Sequence, residues 1–382
     1  MKIVFTGGGS GGHFYPIIAV AEELRDLVAK AHRRDPELYF ISPTPYDAHA
    51  LFANDISFIA SNAGKIRRYK ALANVTDFFV TLFGTISTFF ILLKIVPDVV
   101  FSKGGYGSVP TILAASLLRI PIVIHESDSR PGRANLLAAR FAKRIAITYP
   151  SSLTFFPSKY RDKIAITGIP VRRSLQHTQN RESSKPLGLE KGIPTILVLG
   201  GSAGSAKINE VILDALPQLT SFANVIHQTG KDNFEEVKNL STHISKKNEH
   251  SGRYYPFSYL TKESLSQALH ASDLVLSRAG STSITEISLW SKPAILIPIP
   301  EQVSHDQKTN AYEYARLGGA VVIEEQNLSA HILTSEVRRI TSSREVSNSM
   351  SEKGSVFANP HAANIIATEL FTIASSHAGN EA

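Results

Sequence analysis

Two glycine-rich turns, one in each half of the chain, constrain the fold more than any other feature. Gly7-Gly8-Gly9-Ser10-Gly11-Gly12-His13 follows the apolar run Ile3-Val4-Phe5, and Gly200-Gly201-Ser202-Ala203-Gly204-Ser205 follows Thr195-Ile196-Leu197-Val198-Leu199. A helix-like stretch comes after each. Glycine lets backbone approach an oxygen-rich ligand, and the helix N-terminus supplies free N–H groups and a partial positive charge. The chain has 382 residues, a length that suits two cores better than one. Two such units therefore predict a pair of α/β domains with a ligand cleft, not a single dinucleotide site.

Apolar strand-like runs alternate with helix-like ones along the whole chain, the pattern of parallel sheets. Expected strands in the first half are Ile3–Phe5, Leu38–Ile41, Ser57–Ala60, Val99–Phe101, Ile122–Ile124 and Arg144–Ile147. In the second half they are Thr195–Leu199, Asn224–Gln228, Leu274–Leu276, Ala294–Ile297 and Ala320–Ile323. Gln176–Gly192 has the composition of a loop. The expected organisation is a first domain over 1–168, a linker over 169–193, a second domain over 194–350 and a C-terminal helix and tail over 351–382. Ser351–Ser376 reads as helix, free to pack back on the first domain.

Charge separates the halves. Residues 1–170 hold 20 Lys/Arg and 12 Asp/Glu, a balance of +8, which leaves 20 and 21 beyond them, a balance of −1. The first half is therefore the one suited to an anionic surface. Nucleic acid ranks last among such partners, because no zinc-finger spacing or RNA-recognition aromatic signature is present. The chain has no cysteine, which excludes disulfides and thiolate metal sites and is compatible with the cytosol. The first apolar run is too short for a signal-peptide core.

Phe78–Leu93 is uncharged, and Lys65, Arg67, Arg68 and Lys70 precede it. One reading is a buried crossover helix between two strands. The other is a helix whose apolar end dips into a lipid surface while the basic cluster meets lipid phosphates. Both hold if one face is core and the tip is exposed. A transmembrane helix ranks last, because a crossover belongs between Ser57–Ala60 and Val99–Phe101.

Gly7–Gly12 fits the dinucleotide pattern G-x-G-x-x-G formally. The second strand, however, ends Ile41-Ser42-Pro43, without the acidic residue that would hold a nicotinamide ribose. No Gly-Lys-Ser/Thr follows either turn, so a Walker phosphate loop is also excluded. His13, at a helix start on the sheet's C-terminal edge, is a candidate general base. Gly104-Gly105-Tyr106 follows Val99–Lys103, and two glycine turns on one sheet edge can hold the two ends of a diphosphate. His125-Glu126-Ser127-Asp128 follows another strand. Asp128 is a candidate for a sugar hydroxyl or for base duty, or else the cap of a helix near Arg133. In the second half, Ser281-Thr282-Ser283-Ile284-Thr285-Glu286 opens a helix after Leu274–Leu276. Its small hydroxylated start suits phosphate, and Glu286 suits a ribose diol or is an ordinary helix glutamate.

Taken together these pieces resemble the MurG family, N-acetylglucosaminyltransferases of peptidoglycan synthesis. The matching segments are Gly8–His13, Gly104–Tyr106, His125-Glu126, Pro170-Val171-Arg172, Gly200–Ser202, His227–Lys231, Arg278–Glu286, and Gln307 with Asn310-Ala311, in the family's order across nearly the whole chain. The resemblance implies a GT-B fold, two Rossmann-like domains with parallel sheets facing across a cleft. It implies inverting transfer of N-acetylglucosamine from UDP-N-acetylglucosamine to lipid I. It places the protein peripherally on the cytoplasmic face of the inner membrane, with cell-wall synthesis proteins as possible partners and no cofactor or metal. Carried over by position, Ser10, Gly11 and Gly12 approach the donor sugar or its phosphates. Gly104, Gly105 and Tyr106 meet the acceptor diphosphate. Arg172 and Ser202 contact the donor diphosphate. Ser258 meets the uracil, Ser281–Glu286 the nucleotide, and Gln307 the sugar. His13 matches the family's candidate base. This chain departs from the family's usual His-Glu-Gln-Asn at Ser127-Asp128, which puts a carboxylate where an amide is expected. The competing readings are another GT-B transferase with a lipid acceptor, a sugar-nucleotide epimerase and a non-catalytic sugar-nucleotide or lipid-diphosphate binder.

Overall fold

The glycine turns after Ile3–Phe5 and Thr195–Leu199 each sit at the C-terminal end of an interior strand of their own parallel sheet. In this computed structural model the described residues are 1–8, 10–65, 73–176, 188–201, 204–246, 249–304 and 306–378. They form two units, Met1–Arg173 with Asn359–Ala382, and Ser174–Ala358.

The first unit carries β1 (Lys2–Thr6), β2 (Glu37–Ser42), β3 (Ile56–Ala60), β4 (Val99–Ser102), β5 (Ile122–Glu126), β6 (Arg144–Ile147) and β7 (Ile164–Ile166). Their order is β3-β2-β1-β4-β5-β6-β7, all parallel. The second carries β8 (Thr195–Leu199), β9 (Asn224–Gln228), β10 (Tyr254–Phe257), β11 (Leu274–Ser277), β12 (Ala294–Leu296) and β13 (Ala320–Val322), ordered β10-β9-β8-β11-β12-β13. Both are doubly wound sheets, and each changes direction between its first and fourth strands. Ligands bind outside the carboxyl ends of the strands at that switch point. All eleven expected strands form. The sequence reading missed β7 and β10, and both are edge strands. β7 is three residues long with Ile166 exposed, and β10 contains Pro256, which an edge tolerates because one N–H fewer is needed.

The strands are apolar on both faces because helices cover both. On β1, Ile3 and Phe5 enter one core while Val4 enters the core on the opposite face. On β8, Ile196 and Val198 face one way, Leu197 and Leu199 the other.

One further expectation changes. Ser351–Ser376 is not one helix. It is the end of the helix Arg344–Ser355, a break, and the helix Ala362–Ala378. Pro360 lies in the break and disfavours helical backbone at Asn359. The last helix packs against Gly11–Lys30 and delivers Ile366, Ala367, Leu370, Ile373 and Ala374 to the first unit's core. Neighbours on this helix face opposite ways: Ile366 is 2% exposed and Ile365 42%. Ile366→Val should cost about 0.5–1.5 kcal/mol in urea unfolding, whereas Ile365→Val should stay within about 0.5 kcal/mol. Equal effects would mean that this helix is not part of the core.

The segment Phe78–Leu93 lies within the helix Ala73–Ile95, the crossover between β3 and β4. It packs on the helix Val109–Leu117 and buries Thr88, Leu92 and Ile95. It is a crossover helix with one face in the core and the other exposed, so the two readings hold together. Phe78, Phe79, Leu82, Phe83, Ile86, Phe90 and Leu93 are exposed, Phe83 by 67% and Phe90 by 64%. Of the basic cluster before it, Lys65 is described; Arg67, Arg68 and Lys70 lie outside the described residues.

Candidate active site

The loops after β1, β4 and β5 converge at the first unit's switch point. A Cβ on Gly105 would lie 2.6 Å from the Gly8 carbonyl oxygen, so the first and third glycine turns touch. Gly104 and Gly105 take φ of 78° and 80°, and a Cβ on Gly104 would meet the Asn135 side chain at 2.8 Å. Only glycine combines that backbone with that proximity. Tyr106 follows, with the Lys65 ammonium 5.0 Å from its ring centroid.

The helix Gly11–Lys30 begins at this floor. Ser10 is its N-cap residue but makes no capping hydrogen bond; its Oγ lies 2.9 Å from His13 Nδ1 instead. The first amides of the helix therefore face outward with the positive end of the helix dipole. Lost solvent, then the Lys103 charge, lowers the pKa of His13 to about 4, while Asp128 pulls it back up. The ring is thus neutral at pH 7 and able to accept a proton. Arg172 lies in the same unit, its guanidinium 4.0 Å from the Tyr15 ring centroid. Its Nε is buried with no hydrogen-bond partner among the described residues. A buried donor of this kind can be served by a water or by a ligand oxygen.

The loop after β5 is pinned on several sides. Glu126 accepts from the Asp128 amide at 2.9 Å, from the Gly132 amide at 3.0 Å and from Asn135 Nδ2 at 2.9 Å. Burial and the nearby Asp128 carboxylate raise Glu126 to about 7. Ser152 Oγ donates to the Asp128 carbonyl at 2.9 Å. Asp128 does not cap the next helix. That helix is Arg133–Ala138, with Gly132 at its N-cap and no side-chain cap. The half-buried Asp128 sits instead in the electrostatic neighbourhood of His13, Lys103 and Glu126.

In the second unit, the turn after β8 and the helix after β11 flank the corresponding switch point. Ser202 lies outside the described residues. The helix Ala206–Thr220 is capped, because Ser205 Oγ accepts from the Ile208 amide. Arg278 donates to Ser205 Oγ at 2.6 Å and pairs with Glu325, so it braces this turn. The helix Ser281–Leu289 starts at Gly280 with no side-chain cap. Ser281 Oγ accepts from Asn310 Nδ2 at 2.9 Å, and Ile284 and Thr285 turn into the core. Thr282, Ser283 and Glu286 are the partly exposed members of the segment. Gln307 opens the helix Gln307–Arg316, and its Oε1 accepts from the Ile299 amide at 3.2 Å. Ser258 is half-buried just beyond β10.

The structure thus gathers Ser10, Gly11, Gly12, His13, Gly104, Gly105, Tyr106 and Asp128 at one sheet edge, with Arg172 beside Tyr15. Sequence reasoning missed Lys103, Glu126 and the Arg278–Glu325 pair. A lysine ending an otherwise apolar strand, directly before Gly-Gly, was the available signal for Lys103.

Two family models match the chain. The glycosyltransferase family 28 N-terminal domain covers residues 3–147 and the glycosyltransferase family 28 C-terminal domain covers 195–366. A Treponema denticola protein named UDP-N-acetylglucosamine–N-acetylmuramyl-(pentapeptide) pyrophosphoryl-undecaprenol N-acetylglucosamine transferase is 36% identical over 84% of this chain and 83% of its own. A Legionella pneumophila (strain Lens) protein of the same name is 39% identical over 87% and 86%. Among solved structures, Acinetobacter baumannii MurG superposes with a TM-score of 0.73 at 24% identity, covering 97% of this chain and 99% of its own. A Listeria monocytogenes putative UDP-N-acetylglucosamine 2-epimerase gives 0.70 at 15%, covering 96% and 94%, so the GT-B fold alone does not separate the two activities. Identity over most of the chain does: the protein belongs to glycosyltransferase family 28, among the N-acetylmuramyl-(pentapeptide) pyrophosphoryl-undecaprenol N-acetylglucosamine transferases.

Proposed function

We propose that the chain transfers N-acetylglucosamine from UDP-N-acetylglucosamine to the 4-hydroxyl of the muramyl sugar of lipid I, with inversion, giving lipid II for peptidoglycan synthesis. The observation that carries the reading in this family context is His13 at an uncapped helix N-terminus, its ring bonded to Ser10 Oγ, on the same sheet edge as Asp128. With Nδ1–H donating to Ser10 Oγ, His13 Nε2 is the nitrogen that takes the proton from the attacking hydroxyl. The Asp128 charge stabilises the imidazolium that results. As the bond to the anomeric carbon breaks, negative charge grows on the departing diphosphate. Arg172 and the amides of Gly11 and Gly12 offset it. Glu286 holds the ribose, Ser258 the uracil and Gln307 the sugar, while Gly104, Gly105 and Tyr106 receive the acceptor's diphosphate.

The acceptor carries a long lipid, and the exposed apolar face of Ala73–Ile95 suits a bilayer surface. Its packing against Val109–Leu117 supports a helix that lies on the membrane. Each buried phenylalanine contributes about 1.5–3 kcal/mol. Phe83→Glu with Phe90→Glu should therefore weaken sedimentation with anionic vesicles at least about tenfold, with UDP-N-acetylglucosamine binding unchanged. Unaltered vesicle binding would refute the membrane role.

A lipid-acceptor transferase of another kind would use a different lipid. Labelled UDP-N-acetylglucosamine offered with a short-chain lipid I analogue or with diacylglycerol should label only the former. Preference for diacylglycerol would overturn the assignment.

A further inference from the structure

Lys103 has no place in the roles above, yet it is one of the largest fully buried side chains in the protein, 1% exposed. It directly follows β4, immediately before Gly104-Gly105, and its Cβ would lie 3.2 Å from a Cβ on Gly7. Lys103 thus sits beneath both glycine turns of the first unit. Its Nζ lies 2.6 Å from His125 Nδ1 and 2.5 Å from Ser127 Oγ. The histidine tautomer is fixed by its other side. His125 Nε2 is 2.8 Å from the Gly168 carbonyl, which only accepts, so Nε2 carries the proton and Nδ1 receives one from the ammonium.

Both of these partners are neutral, and among the described residues no carboxylate forms an ion pair with Lys103. A buried charge without such a pair is costly unless more distant charges compensate it. The charges that reach it are Glu126, at the end of β5, and Asp128, in the loop that follows. Its own field falls on His13 and on His125. The polar centre thus holds one ammonium, two carboxyl groups and two imidazoles, drawn from the end of β4, from β5 and its following loop, and from the start of Gly11–Lys30.

We propose that Lys103 is a positioning residue for the transfer step, a buried cation that pins the Asp128 loop through His125 and Ser127 and whose charge Asp128 offsets at His13. The inference rests on the function proposed above and adds to it the reason for a carboxylate at 128: this chain needs a negative charge there to oppose Lys103. Removing Asp128 alone leaves the Lys103 field at His13 without its counter-charge. Removing both takes away the Lys103 field at His13 together with the charge that opposes it there.

The test is a double-mutant cycle of Lys103→Met and Asp128→Asn, read as kcat with the lipid I analogue, UDP-N-acetylglucosamine Kd and thermal midpoint. Asp128→Asn should lower kcat about 100-fold, and Lys103→Met added to it should recover roughly tenfold, with donor Kd within about twofold throughout. The wild-type kcat should also fall above about pH 8, where Lys103 loses its proton, and Lys103→Met should lack that limb. Additive losses in kcat, or an alkaline limb that survives in Lys103→Met, would overturn the proposal. If Lys103→Met does not fold, nitrogen-15 histidine spectra of the wild-type protein decide. A protonated Nε2 on His125 supports the strut, and a protonated Nδ1 overturns it. Wild-type protein that makes no lipid II analogue would instead count against the function itself.

Discussion

His13→Ala is expected to lower kcat about 10²- to 10⁴-fold, the usual contribution of a positioned general base, while UDP-N-acetylglucosamine Kd changes by less than about twofold. The split follows from what the ring touches. His13 is the third residue of Gly11–Lys30, its Nδ1 held by Ser10 Oγ, in the unit that lacks the Ser281–Glu286 segment. The pH dependence should be distinctive. Lost solvent and Lys103 depress His13 to about 4 from the ordinary 6.5, so the accepting form persists well below neutrality. The acid limb of kcat/KM should therefore lie near pH 4, and the rate should be flat where an ordinary histidine base would already be protonated. A near-normal rate in His13→Ala would move the base role to Asp128.

Glu286→Gln should weaken UDP-N-acetylglucosamine binding roughly 10- to 150-fold, the loss of about 1.5–3 kcal/mol for hydrogen bonds to a charged acceptor. Acceptor KM should change little. Glu286 is the sixth residue of Ser281–Leu289, partly exposed, while the intervening Ile284 and Thr285 face the core. Only the carboxylate is therefore at stake, and the unfolding midpoint should hold. Calorimetry with UDP alone separates this reading from the ordinary one. If Glu286 is merely a solvated helix glutamate, UDP affinity will not move.

The fold was legible because its strands are buried on both faces, so Ile3–Phe5 or Thr195–Leu199 needed no periodicity to be found. What escaped lies where burial fails. β7 and β10 are edges, and Pro256 reads as a strand breaker until the edge excuses it. The crossover helix was ambiguous for a related reason: Ala73–Ile95 is apolar all round, and composition does not say which face is covered. At the candidate site, glycines and His13 were visible because their spacing along the chain carries the signal. Lys103 and Glu126 were not, because their partners arrive from other strands. Glu126 turns back to the amides of Asp128 and Gly132, so it shapes the loop from inside it. Asp128 itself was read as either a cap or a site residue, and the backbone decided, since the helix after it starts at Gly132.

The central claim is that sugar moves from nucleotide to a lipid-linked muramyl acceptor. The most direct measurement counts UDP released and disaccharide-lipid formed in one reaction, with and without the lipid I analogue. The account predicts one UDP for each disaccharide-lipid, and no UDP when the acceptor is withheld. UDP set free without acceptor, or acceptor recovered unchanged while UDP accumulates, would contradict it.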